Sequence, residues 1–323
     1  MSIVVTGGAG FIGSCMVRTL NDCGMDDIII VDNIATTEKW KNLKNKKFRE
    51  YIHKDRFLEK LSGGGYNGIS SIIHLGACSS TTEKNFDYLW CNNVQYSQQL
   101  WNYCTENQIT FLYASSAATY GSGMQGFDDE KEISLLEPLN GYGYSKQFFD
   151  LWAEKQRDHP YHYAGFKFFN VYGPNEYFKG SMASMVFHGY QQIIKEGVIR
   201  LFQSENRSYR DGEQLRDFVY VKDVCDVIMF FLDQCVKNGL FNVGTGRAQS
   251  FRGLAEAVFK ALHRETCIEY IPMPEQLQQK YQYYTQANIE KLRKAGYEKE
   301  FYDLTTGVED YVRGYLCNEY ATY

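Results

Sequence analysis

Short, wholly apolar runs alternate with longer amphipathic stretches over the first half of the chain. Ile3-Val4-Val5 opens the series and flows into a turn holding Gly7, Gly8, Gly10 and Gly13. Ile28-Ile29-Ile30-Val31 follows and ends in Asp32. A run of roughly four to eight residues without polar alternation reads as a strand buried on both faces, the condition of a parallel sheet. Further strands are expected at residues 71–75, 110–114 and 163–168, and helices at 10–23, 85–107 and 142–156. Strands and helices taken in turn imply a sheet covered on both faces. After about residue 171 the pattern loosens. A helix is expected at 183–196, a strand at 199–202, a strand and helix over 216–235, a strand at 240–243 and a helix at 251–262. The expected architecture is α/β: a Rossmann-type doubly wound parallel sheet with a smaller C-terminal α/β lobe. Residues 1–170 form the dinucleotide-binding domain. Residues 171–323 form mainly the substrate lobe, with some segments returning to the first domain, and the site lies in the cleft between them.

Composition narrows this picture in a few places. The longest apolar runs are strand-length, so no membrane span is expected. The first run begins so early that no leader is expected, which points to the cytoplasm. A formal charge of -5 argues against a nucleic-acid partner. The nine cysteines include no CxxC pair and no zinc-like spacing, so no metal is expected. They read as reduced core thiols, with Cys104, Cys225 and Cys235 in apolar surroundings.

The chemistry concentrates in two motifs. Strand, glycine turn, helix, strand and acid make the layout of a dinucleotide-binding βαβ unit. Gly7 and Gly8 serve the turn, Gly10 lets backbone approach a pyrophosphate, and Gly13 lets helix and sheet pack. The helix start then offers free N–H groups to phosphate. Asp32 suits an adenosine ribose, yet a basic segment follows it, from Lys39 to Arg49 and on to Lys54. The second motif is Tyr142-Gly143-Tyr144-Ser145-Lys146. Four residues apart on a helix, Tyr142 and Lys146 share one face. An ammonium beside a phenol favours phenolate, so a lowered Tyr142 pKa is expected. Ser116 follows an expected strand, at the mouth of the sheet, where it can bond a substrate hydroxyl or a developing carbonyl.

These residues resemble the extended short-chain dehydrogenase/reductase family. Further stretches are similar to one subgroup of it, the ADP-L-glycero-D-manno-heptose 6-epimerases: His74 to Glu83, Asn92-Asn93, Phe169 to Pro174, Lys179 to Ser184, Arg216 to Val221 and Phe241 to Ala248. The resemblance runs nearly end to end and implies an isomerase of lipopolysaccharide heptose precursors. It implies oxidation of the sugar at C6 to a ketone and re-reduction on the opposite face, with the D-glycero and L-glycero epimers interconverted. Catalytic roles fall by resemblance to Tyr142, Lys179 and Ser116, with Lys146 anchoring the nicotinamide ribose. The cofactor, implied to be NADP with NAD accepted as well, would meet Gly7, Gly10, Phe11, Ile12, Gly13, Asp32, Asn33, Lys39 and Lys54. It would also meet Leu75, Gly76, Ala77, Cys78, Ser79, Asn92, Lys146, Val171 and Lys179. The nucleotide sugar would meet Ser116, Asn170, Ser181, His188, Phe202, Arg216 and Tyr281. A homo-oligomer is implied too. The rival readings are a UDP-hexose 4-epimerase and a non-catalytic dinucleotide sensor. A dehydratase is set aside, because Ala117 and Ala118 stand where it needs acids. One departure is the stretch before Arg216, which adds Arg207 and Arg210.

Overall fold

The computed structural model of the chain describes all 323 residues except 67, 235, 279 and 280, and excepting the side chains of 276 and 277. The expectation for Cys235 lies outside the described residues. Seven parallel strands form the main sheet: β1 (Ser2–Thr6), β2 (Ile28–Asp32), β3 (Glu50–His53), β4 (Ile69–His74), β5 (Thr110–Ser116), β6 (Tyr163–Phe168) and, after three short strands, Gly239–Val243. The three are β7 (Asn170–Tyr172), β8 (Ile199–Phe202) and β9 (Leu215–Tyr220), which makes Gly239–Val243 β10. Their spatial order in the main sheet is β10-β6-β5-β4-β1-β2-β3. The chain direction across the sheet reverses between β1 and β4, and a doubly wound sheet binds its ligand at that switch.

Side-chain alternation sorts the apolar runs. Val4, Ile29 and Val31 join one core; Ile3, Val5, Ile28 and Ile30 join the other. Each such burial contributes about 1.5–3 kcal/mol. Helices α1 (Phe11–Asp22), α2 (Lys54–Ser62), α3 (Tyr96–Glu106), α4 (Gly141–Glu154), α5 (Met185–Glu196), α6 (Val221–Asp233) and α7 (Phe251–Ala261) flank the strands. Helix α6 packs on α1, so a segment well past residue 170 covers the first βαβ unit. Smaller sheets, β9 between β7 and β11 (Ala248–Ser250), and β8 beside β12 (Ile268–Ile271), build the rest.

Several expectations need correction. β3 and α2 fall where only basic residues stood out. The helix expected over 85–107 is an α turn at Phe86–Leu89, a π turn at Trp90–Gln95 and then α3. Among the described cysteines, all free, Cys15, Cys104 and Cys225 are buried, whereas Cys23, Cys91, Cys267 and Cys317 are exposed and are no part of a core. Among the described residues no helix is long and apolar enough to cross a membrane.

Candidate active site

The glycine turn is held by its own backbone. Gly7 has φ +67° and its carbonyl accepts from Gly10 N at 2.8 Å. A Cβ on Gly7 would sit 2.7 Å from the Gly76 backbone, so the turn after β1 and the loop after β4 meet as closely as bare backbone allows. Gly10 caps α1 without a side chain, leaving the first-turn N–H groups of the helix with no side-chain acceptor. Such a terminus suits an anion. Asp32 fixes the arrangement from β2. Its carboxylate accepts from Ala9 N at 2.9 Å, from Asn33 N at 2.6 Å and from Lys39 Nζ at 2.6 Å. Asn33, Lys39, Lys54 and Asn92 line a small recess with it.

A chain of buried polar groups sets the loop after β4. Gly76 N donates to Thr6 Oγ1 at 3.1 Å, which lies 2.6 Å from His74 Nδ1. His74 Nε2 is 2.9 Å from Ser97 Oγ, which donates to Asn93 O at 2.7 Å. Each hydroxyl gives one proton, so the proton of the imidazole is on Nε2 and Nδ1 accepts from Thr6. Burial holds His74 down to about 3, so it stays neutral. Asn93 exchanges bonds with the Cys78 backbone, at 2.8 and 2.9 Å, and donates to Ser145 of α4 at 2.9 Å. The π turn at residues 90–95 thus joins the loop after β4 to the helix bearing Tyr142. Thr6 and His74 are polar residues that end the apolar runs of β1 and β4, whereas Asn93 lies within the π turn.

Ser116 ends β5, and its Oγ accepts from Ala118 N at 3.1 Å. Tyr142 and Lys146 stand on α4 beside it. Burial raises the Tyr142 phenol, and a hydrogen bond from Ser116 works against that rise. The expected lowering of Tyr142 by Lys146 is therefore not what the structure shows. Lys146 is itself brought down to about 8 by burial, and its Nζ donates to Ala114 O at 2.9 Å. Lys179 comes from the loop after β7, with its N donating to Glu176 O at 3.1 Å and its Nζ 5.2 Å from the Phe11 ring centroid. Burial lowers the ammonium pKa; the nearby Glu176 carboxylate opposes the shift. Glu176 is fully buried, and Ser184 donates to it through N and Oγ, both at 2.6 Å.

Ser116, Tyr142, Lys146 and Lys179 line one cleft of about 510 Å3, together with Gly7, Gly10, Phe11, Ile12, Gly13, Leu75, Ala77, Ser79, Asn170 and Val171. Asp32 is the one acid among the described residues lining it, and Ala117 and Ala118 follow Ser116. Residues 3–244 match the NAD dependent epimerase/dehydratase family. The chain belongs to this family. An ADP-L-glycero-D-manno-heptose-6-epimerase of Fusobacterium nucleatum is 50% identical over 98% of each chain. The enzyme of that name from Nitratidesulfovibrio vulgaris is 52% identical over 97% of this chain and 98% of its own. A Helicobacter pylori structure of that name superposes with a TM-score of 0.80 at 26% identity, covering 97% of this chain and 95% of that one. Likeness over the whole length places the chain among the epimerases, hence the isomerases, with a nicotinamide dinucleotide as cofactor. The glycine turn and the uncapped α1 start fit such a group.

Other expected positions of this epimerase lie outside the cleft lining. Cys78 is half-buried on Asn93. Ser181 is exposed beside Met182, which does line the cleft. His188 packs against Phe187 on α5, and Phe202 ends β8. Arg216 and Tyr281 are brought together: the buried guanidinium lies 5.2 Å from the Tyr281 ring centroid and 5.6 Å from that of Phe251. Gln282 and Thr285 carry this segment to the cleft.

Proposed function

We propose that the chain interconverts ADP-D-glycero-D-manno-heptose and ADP-L-glycero-D-manno-heptose at C6, supplying heptose for lipopolysaccharide. The observation that carries this reading is the presence of Tyr142 and Lys179 in one cleft with no acid beside Ser116. An epimerase reaching both faces of one carbon needs two proton-handling groups, whereas a dehydratase needs an acid pair. When bound, the dinucleotide supplies the hydride exchange with C6. Lys179, its proton affinity lowered, takes the hydroxyl proton of one epimer; Tyr142, its phenol raised, gives a proton to the ketone oxygen. Ser116 holds that oxygen, and Lys146 holds the nicotinamide ribose. Asn170, Ser181, His188, Phe202, Arg216 and Tyr281 are the proposed contacts of the nucleotide sugar; a guanidinium such as Arg216 suits a diphosphate. Incubating the purified protein with ADP-D-glycero-D-manno-heptose, with NADP supplied, gives the C6 epimer on chromatography. Absence of conversion would move the reading to another nucleotide sugar.

NADP is the proposed preference. Lys39 neutralises Asp32, which removes the charge that would repel a 2′-phosphate, and Lys54 shares the recess. A charge-assisted hydrogen bond contributes about 1.5–3 kcal/mol. Lys39→Ala therefore weakens NADP binding at least about tenfold and leaves NAD affinity within about threefold. Equal losses for both dinucleotides, read by titration, would defeat the assignment. The reading also takes residues 1–170 as the dinucleotide domain, a cytoplasmic location and a homo-oligomer. Phe86, Trp90, Tyr144 and Phe148 form one exposed aromatic patch that suits a second copy of the chain.

A further inference from the structure

Behind the catalytic helix lies a buried charge cluster that the reaction does not use directly. Asp150 is one turn beyond Lys146 on α4 and is 1% exposed. Ser115 Oγ donates to its Oδ2 at 2.6 Å, Lys167 Nζ to the same oxygen at 3.1 Å, and Tyr113 OH to Oδ1 at 3.3 Å. Lys167 is equally buried and also donates to Thr119 Oγ1 at 2.7 Å. One carboxylate thus ties α4 to β5 and β6. Ser115 sits between Ala114, whose carbonyl receives Lys146, and Ser116, which bonds Tyr142.

We propose that Asp150 is a positioning residue of the epimerase, holding the β5 end against α4 and supplying the counter-charge that keeps Lys146 cationic. This rests on the reading of Lys146 given above. A buried ammonium without a carboxylate nearby loses its proton readily. The other titratable groups around Lys146 and Asp150 do not replace that carboxylate. Tyr142 and Tyr113 are phenols raised by burial, His74 is neutral, and Cys78 is a half-buried thiol. Lys167 from β6 is a second cation that competes for the same carboxylate, and Glu154, a turn further along α4, lies beyond it.

Opposite charge changes then move Lys146 in opposite directions. Asp150→Asn removes the counter-charge, so Lys146 releases its proton about one pH unit lower. Lys167→Gln frees the carboxylate for Lys146, so release moves up. The readout is labelling of Lys146 with an amine-reactive reagent across pH, followed by peptide mass spectrometry on the full chain. It needs no turnover. Lys146 being at about 8 in the wild type, a one-unit drop also cuts turnover about fivefold at pH 8, with little change at pH 6 and KM within about threefold. Loss of fold alone would not shift two variants in opposite directions. If Asp150→Asn does not fold, the upward shift of Lys167→Gln carries the test. Unmoved labelling midpoints, or shifts of the same sign, overturn the proposal. Labelling that shifts as expected while turnover ignores it upholds the counter-charge and removes Lys146 from the reaction instead.

Discussion

Tyr142→Phe lowers heptose turnover by about a thousandfold, the mid-range of what one positioned acid–base group contributes. The substitution deletes a single oxygen, which in the structure bonds the Ser116 hydroxyl at the end of β5. The ring remains, so α4 keeps its packing and the glycine turn, on the other side of the cleft, is untouched. Dinucleotide affinity therefore stays within about threefold while the chemical step fails. Lys179→Met has a comparable effect for a separate reason. Lys179 reaches the cleft from a different element, on a loop that Glu176 ties to Ser184, and among the described residues lining the cleft the other lowered ammonium, Lys146, stands on α4. Single-turnover conversion of each epimer, with dinucleotide titrated in parallel, reads both variants. Near wild-type turnover in Tyr142→Phe would remove Tyr142 from the proton transfer. The same result in Lys179→Met alone would reduce the site to a one-base epimerase.

The legible part of the fold was the part with the least ambiguity in burial. β1 and β2 are buried on both faces, so their runs contain no polar residue to confuse the pattern. β3 is an edge strand in which Ile52 alone is buried, and it lies between the basic residues Lys46, Lys47 and Arg49 on one side and Lys54 on the other. The glycine turn, Asp32, Ser116 and the Tyr142–Lys146 pair were readable because spacing along one element fixes their geometry. Lys179 was not readable that way. It enters the cleft through a loop, where spacing carries no direction, and only resemblance to the subgroup singled it out. His74, Asn93 and Asp150 were hidden for the opposite reason. Their neighbours in the sequence say nothing about the partners they meet across 15 to 68 residues, as Asn93 meets Cys78 and His74 meets Thr6. The cysteines show the same limit: an apolar context placed Cys104 and Cys225 correctly, but Cys267 follows a short, charged stretch and lies on the surface.

Gly13→Ala separates two opposing effects of known size. Helix propensity alone favours alanine over glycine by about 1 kcal/mol in a helix interior. Geometry opposes it. A Cβ on Gly13 would lie 2.1 Å from Gly7 O and 2.7 Å from Gly7 C, both backbone atoms that cannot turn away. Gly7 cannot retreat either, because its own Cβ position is already 2.7 Å from the Gly76 backbone on the next strand's loop. Relief requires α1 to slide off the sheet, which breaks the register between the glycine turn and the helix start. The clash wins, with a net loss of about 2–3 kcal/mol, and dinucleotide affinity falls at least about a hundredfold because the N–H groups no longer converge. Gly10→Ala is the internal control. Its Cβ would lie 3.0 Å from Gly7 O and meet little else, so a small shift accommodates it and the stability change stays below about 1 kcal/mol. Urea unfolding and dinucleotide titration of the two variants decide the matter. A Gly13→Ala protein as stable as the wild type would mean that helix and turn are looser in solution than this packing allows.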